Sequence, residues 1–249
     1  MPIRSISQVD IAPTIARVLG LNLPNTDGEP IEMDCERCRS VILAIVDSLG
    51  YDLYLSLVPY LRFMPALASR GSLISTRSVS SRTTPAIASI LSGLLPEHHQ
   101  IYDKAGAKDS SLLSLPEIAS AAGMRSAVIM EKRGAEVYTG LIEVVEGVPD
   151  ELRPGEFDDQ ICQKSLDALA LGPRLMVSYF IGLDKTAHMG LGMEAMRAEA
   201  KHIDGCLEEM AGAAGPGTLI IICGDHPVHA GPLKRNGGKS CVALISGRA

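Results

Sequence analysis

The run Val41-Ile-Leu-Ala-Ile-Val46, followed at once by Asp47, is continuously apolar and then abruptly charged. Continuous rather than alternating apolar character means that both faces of the segment are buried, as in a parallel strand covered by helices on each side. Two other runs repeat the pattern: 175–183 is followed by Asp184, and Leu219-Ile-Ile-Ile-Cys223 leads through Gly224 into Asp225. Working outward from these three, short apolar runs predict strands over 41–46, 73–79, 126–130, 175–181, 218–223 and 241–245. The stretches between them carry helical periodicity and predict helices over 11–19, 59–70, 85–92, 115–122, 158–169 and 193–212. Strand and helix alternate, so the expected class is α/β, a three-layer sandwich with a mostly parallel central sheet. We expect a single domain over 1–249. The segment 131–155, interrupted by Gly, Val-Pro and Arg-Pro, reads as a small excursion over the sheet edge.

Composition narrows the function. The 249 residues carry 23 Lys plus Arg against 29 Asp plus Glu, a formal charge of -6, and 46% are hydrophobic. Such a chain can bury a large core. It offers no basic stripe for a nucleic-acid duplex. No apolar run approaches the roughly 20 residues of a membrane span, and the start lacks the cationic and apolar regions of a secretory signal. The expectation is a cytoplasmic protein acting on a small molecule, with no membrane partner and its oligomeric state open. In that compartment the six cysteines are expected to be reduced thiols. Cys35-Glu-Arg-Cys38 has no second pair with which to form a zinc ribbon, so it is read as two small residues ahead of a strand.

Each of Asp47, Asp184 and Asp225 lies just past a predicted strand's carboxyl end. In an open parallel sheet those ends share one edge, and ligands bind in the crevice outside it. Three converging carboxylates repel unless cations sit among them. Two come with imidazoles, Asp184-Lys-Thr-Ala-His188 and Asp225-His226, a donor mixture that suits zinc, manganese or iron better than calcium or magnesium. The bland alternative is that each Asp is only a helix N-cap and each His a loop residue. A fourth element, Ser80-Ser-Arg-Thr-Thr-Pro-Ala-Ile-Ala-Ser-Ile-Leu-Ser-Gly93, leads hydroxyls into a helix. Pro85 suits that helix's first turn, which leaves Thr83 or Thr84 at its anion-attracting N-terminus.

These residues resemble the alkaline phosphatase superfamily, and within it the branch of nucleotide pyrophosphatases/phosphodiesterases. The stretch Thr83-Thr-Pro-Ala-Ile-Ala-Ser-Ile-Leu-Ser-Gly-Leu-Leu-Pro-Glu-His-His-Gln-Ile101 is similar to that branch's nucleophile motif, and its register selects Thr83. The resemblance implies an alkaline phosphatase-like core with a minimal cap. It places one metal on Asp47, Thr83, Asp225 and His226 and a second on Asp184 and His188. Two divalent ions are expected, zinc in the first place and manganese as the alternative. Ser5-Ile-Ser-Gln-Val-Asp-Ile-Ala-Pro-Thr-Ile-Ala-Arg-Val-Leu-Gly20 resembles the segment that ordinarily closes these proteins. We therefore expect a circular permutation, with 1–34 equivalent to the usual C-terminus.

The chain also departs from the family pattern. The loop Lys234-Arg-Asn-Gly-Gly-Lys239 lacks the His that completes the second metal, and His229 is the nearby substitute. Ala86 stands where diesterases of the branch place an Asn. Thr83-Thr-Pro-Ala-Ile has neither the modifiable Cys or Ser nor the Arg of sulfatases. His98 and His99 are expected to be structural and His202 a surface residue; Lys185, Arg82 and Lys104 are read as solvated rather than as phosphate contacts. The expected function is metal-dependent hydrolysis of phosphoric mono- or diesters through a phospho-threonine at Thr83, on a site left open by the missing cap. The alternative is a non-catalytic metal- or ligand-binding protein with a degenerate second site.

Overall fold

The computed structural model describes residues 5–33, 35, 38–234 and 240–249. In chain order the elements are α1 (Ile11–Leu19), β1 (Ser40–Val46), α2 (Tyr51–Leu57), α3 (Phe63–Arg70), β2 (Ser72–Arg77), α4 (Thr83–Ser92), α5 (Pro96–His99), α6 (Lys104–Asp109) and α7 (Leu115–Ala121). They continue with β3 (Ser126–Glu131), α8 (Lys132–Ala135), β4 (Val144–Val148), α9 (Pro154–Leu169), β5 (Leu175–Phe180), α10 (Gly182–His188), α11 (Met193–Ala214), β6 (Thr218–Gly224) and β7 (Cys241–Arg248).

The strands form one sheet in the order β2-β7-β6-β1-β5-β3-β4. Only β7 runs against its neighbours. The apolar run of β1 is buried from Val41 to Val46 because it is the middle strand, with β6 on one side and β5 on the other. Helices α9 and α11 pack together, with α9 against β3, β4 and β5, while α3 lies on β7. Helix α1 packs on α4 and β1, and α7 on β3 and β5. This is the expected α/β sandwich with a mostly parallel sheet. Among the described residues no helix is long and apolar enough to cross a membrane.

Two expectations need correction. The excursion read over 131–155 carries a seventh strand, β4, paired parallel to β3 at the sheet's edge. Its residues Val-Val-Glu-Gly-Val are mostly half-buried, so the apolar signal is weak. The two segments pass closely at Gly147, where a Cβ would stand 3.0 Å from the Lys132 Cα. Second, Cys35 and Cys38 are joined by a disulfide rather than left as thiols. Cys38 N donates to Cys35 O, and their Cα atoms are 5.3 Å apart, within disulfide reach. Cys162, Cys206, Cys223 and Cys241 are free.

Candidate active site

The order β6-β1-β5 puts the ends of the three Asp-terminated strands side by side. Val46 pairs with Phe180 on one side and Gly224 on the other, so Asp47, Ile181 and Asp225 stand abreast. Helix α10 begins one residue after Ile181 and carries Asp184 and His188 on its first and last turns. The chain passes closely at Gly224, where a Cβ would lie 2.3 Å from the Leu49 carbonyl oxygen. No other side chain fits there.

Asp47, Asp225 and His226 are all buried. His226 Nε2 lies 3.3 Å from Asp47 Oδ1 and 3.4 Å from Asp225 Oδ2, and Thr83 Oγ1 is 3.2 Å from the same nitrogen. The His226 Nδ1 is 3.2 Å from the Pro227 carbonyl. With a proton donated to that carbonyl, the Nε2 lone pair faces the two carboxylates. Asp225 Oδ1 accepts from the backbone N–H groups of Ser48 (3.0 Å) and His226 (2.7 Å), and Tyr179 donates its hydroxyl to Asp47 Oδ2. What remains is telling: Asp47 Oδ1 and Asp225 Oδ2 are buried with no hydrogen-bond partner. A buried acceptor left this way is costly, and two converging on an imidazole nitrogen fit a cation.

The acidities follow. Burial, then the neighbouring charges of Asp225 and Asp184, push the Asp47 carboxyl well above the usual carboxylate range. Burial raises Asp225 to about 7, against the opposing backbone hydrogen bonds from Ser48 and His226. Two buried carboxylates that resist ionisation side by side are what a divalent ion would relieve.

A second cluster adjoins the first. His188 Nε2 lies 3.5 Å from Asp184 Oδ2 and 3.2 Å from His229 Nε2, and His229 Nδ1 is 3.8 Å from Asp184 Oδ1. Asp184, His188 and His229 thus present one ligand atom each within 4.8 Å of one another, and so do Asp47, Asp184 and His226. The resemblance implied Asp184 for the second metal alone, yet its carboxylate belongs to both groups. Burial, followed by His226, lowers the His229 pKa, which keeps its imidazole neutral and able to ligate. The Gly-rich loop compared with the family's His-bearing loop lies, at 235–239, outside the described residues.

Thr83 opens α4, with Arg82 as its N-cap, where first-turn N–H groups have no intrahelical partner. Ala86 is buried in that helix and brings no donor to the site. His99 is a core residue held by Ser89 Oγ at 3.0 Å, and His98 pairs with Asp27 at 2.7 Å, both structural as expected. His202 lies on α11, partly exposed, and pairs with the exposed Asp159 at 3.1 Å. Lys104 pairs with Glu131 at 3.1 Å and Asp150 at 3.4 Å, and Lys185 donates to the carbonyls of Asp150 and Leu152. Arg82 is exposed.

Three residues of the site were not singled out in the sequence. Ser48 adopts φ 64°, and its hydroxyl donates to Asp184 Oδ1 at 2.8 Å. Tyr179 reaches Asp47 from β5. Gln8, fully buried, donates to the carbonyls of Gly224 (2.8 Å) and Asp225 (2.6 Å) and accepts from Val79 N (2.9 Å). It fastens the end of β6 to the segment leading into Thr83. The one signal for it was its place in the motif-like stretch from Ser5 to Asp10.

The sulfatase family profile matches residues 39–167. Among solved structures, phosphonoacetate hydrolase from Sinorhizobium meliloti in complex with phosphonoacetate superposes with a TM-score of 0.63 at 14% identity, covering 83% of this chain and 60% of that one. A protein in the alkaline phosphatase superfamily from Vibrio parahaemolyticus gives 0.62 at 12% identity over 97% of this chain and 68% of that one. A protein of Pyrococcus horikoshii gives 0.63 at 13% identity over 85% and 86%. The chain therefore spans only 60% of the phosphonoacetate hydrolase it resembles. No curated protein matches it.

Proposed function

The chain belongs to the sulfatase family, and from that premise we propose that it hydrolyses phosphoric esters at Thr83, with divalent cations held by the Asp and His groups around it. The observation that carries the reading is the Thr83 hydroxyl 3.2 Å from His226 Nε2, on a nitrogen that also faces the two partnerless buried oxygens of Asp47 and Asp225. One ion is assigned to Asp47, Thr83, Asp225 and His226, and a second to Asp184, His188 and His229. The nitrogen and carboxylate donors suit zinc, with manganese as the alternative. Such ions would supply Lewis acidity, lowering the Thr83 hydroxyl's pKa and offsetting charge on the phosphoryl oxygens.

Thr83 Oγ forms the bond to phosphorus as the ester P–O bond breaks and the alcohol departs with a proton. Water then cleaves the phospho-threonine, returning the hydroxyl and releasing phosphate, or a phosphomonoester when the substrate is a diester. First-turn N–H groups of α4 face the developing negative charge. A cytoplasmic location stays part of the proposal, with the four free thiols for it and the Cys35–Cys38 disulfide against it.

The family match favours a second reading, sulfate-ester hydrolysis. Against it, Thr83 carries a methyl on its β-carbon and cannot be converted to the aldehyde that a Cys or Ser would yield. Protein reconstituted with zinc or manganese and offered chromogenic phosphate monoester, phosphate diester and sulfate ester separates the two. We expect turnover of a phosphate ester, a loss of at least about 10³-fold in kcat with Thr83→Ala, and a comparable loss with Asp47→Asn. Turnover of the sulfate ester alone would establish the second reading. No metal-dependent turnover of any ester would leave the non-catalytic alternative.

A further inference from the structure

The residues at the strand ends do not sit on an open rim, as the sequence led us to expect. Thr83, Asp47 and Asp184 form one end of a cavity of about 370 Å³, within the range of pre-formed small-molecule sites. From that polar end the cavity runs along α4, past Ile87, Ala88 and Leu91, one and two turns beyond Thr83 and Thr84. It is also lined by Met130 at the end of β3, by Val137 and Tyr138 of the 131–155 excursion and by Leu112 ahead of α7. The 131–155 excursion thus lines the cavity, with Val137, Tyr138 and Leu141 as its apolar part beside Glu131, Arg133 and Asp150.

The charges around the cavity are largely spoken for. Lys104 is held between Glu131 and Asp150, and Lys185 is turned onto two backbone carbonyls. Lys108 and Arg133 line it and are exposed, so their charges stay hydrated. Glu117 also lines the cavity and accepts from the Ser114 N–H and hydroxyl, while a charged organic group seated against Ile87, Leu91, Val137 and Tyr138 would lose its hydration. An uncharged apolar group would gain by leaving water.

Resting on the reading of Thr83 as nucleophile, we propose that the substrate is the ester of an uncharged apolar alcohol, alkyl or aryl, whose organic part fills this cavity while its phosphoryl group sits among Thr83, Asp47 and Asp184. The sequence and structural similarities are silent on this substrate class. It separates the chain from an enzyme for a charged small molecule such as phosphonoacetate, the compound bound in one of the structures it resembles.

The test uses the metal-reconstituted full chain and two readouts. Calorimetric titration with methyl-, propyl-, butyl- and hexylphosphonate reads binding without turnover. Each added methylene that enters the cavity should tighten Kd about fourfold. Ala88→Phe fills the cavity from α4 and should flatten that series. Val137→Ser, on the excursion, should shallow it without adding bulk, so the inference does not hang on one variant's folding. A Kd independent of chain length in the unmodified protein, or a slope kept by both variants, overturns the proposal. The second readout is kcat/KM for the corresponding alkyl phosphates, whose leaving groups differ little in intrinsic reactivity. A steep binding series without turnover upholds the cavity's assignment and removes the hydrolase reading. Turnover with a flat series does the reverse.

Discussion

Asp47 and Asp225 direct oxygens at the same buried point, so the site's charge must depend on pH and on metal together. In the unfolded chain both titrate near the ordinary Asp value of about 3.9. In the folded, metal-free protein burial raises Asp225 to about 7 and moves Asp47 upward too. Between those limits the folded state keeps protons that the unfolded state has lost, and stability falls as pH rises. We expect the urea midpoint in chelator to be lower at pH 8 than at pH 5, and zinc to recover most of the difference. A metal-free protein equally stable at both pH values would contradict the buried-carboxylate account. These carboxylates were legible in the sequence because each follows an apolar run. Ser48 and Tyr179 were not: one depends on a left-handed backbone conformation after Asp47, the other on the alignment of β5 with β1, and neither leaves a pattern in a single sequence.

Helix α10 carries Asp184 and His188, and its start is fixed from beneath by α9. Both carboxylate oxygens of Asp158 accept backbone N–H bonds, from Ile181 and Gly182, each at 3.0 Å. Gly182 is confined in turn, because a Cβ would fall 2.3 Å from Asp158 Oδ2. Burial, with the Glu199 carboxyl beside it, holds the Asp158 pKa well above normal, so the pair accommodates a shared proton. Asp158→Ala leaves two buried donors unmatched and should cost about 1–3 kcal/mol in urea unfolding. It should also weaken metal retention at Asp184 and His188 and lower kcat more than substrate affinity; unchanged stability would mean α10 is held by packing alone. At this scale the sequence served unevenly. The helix over 11–19 and the central strands lay where their periodicity indicated, because burial on both faces writes a strong apolar signal. Helix α10 is too short to show a periodicity, and α2, amphipathic but only seven residues long, is scarcely better. The predicted helix over 59–70 is divided at Leu61, whose extended backbone separates α3 from the turn before it.

The segment from Ser5 to Met33 shows how the whole molecule holds its site together. Ser7 bridges to Arg77 at the end of β2, and β2 pairs with β7, so the segment lies at the β7 side of the sheet. From there Gln8 clamps β6 to the approach to Thr83, and Asp27 binds the Gly93 carbonyl and the Leu95 N–H at the far end of α4. The nucleophile's helix is therefore gripped at both ends by one stretch of chain. We propose that this stretch does the work of the family's closing segment, displaced to the front by permutation, and the topology says what restoring the usual order would require. Ser246 pairs with Ser72 at the start of β2, while Ser7 sits at its other end. A join from Ala249 to Ser5 must then run the length of β2, five steps of about 3.3 Å, or roughly 17 Å. A flexible linker of about ten residues covers that span with slack. A chain joined in this way and opened between Met33 and Ser40 should fold to the same urea midpoint within about 1 kcal/mol and keep metal-dependent activity. Failure with linkers of ten and fifteen residues alike would show that the contacts of Gln8 and Asp27 depend on the present chain order, and would remove permutation as the account of the N-terminal segment.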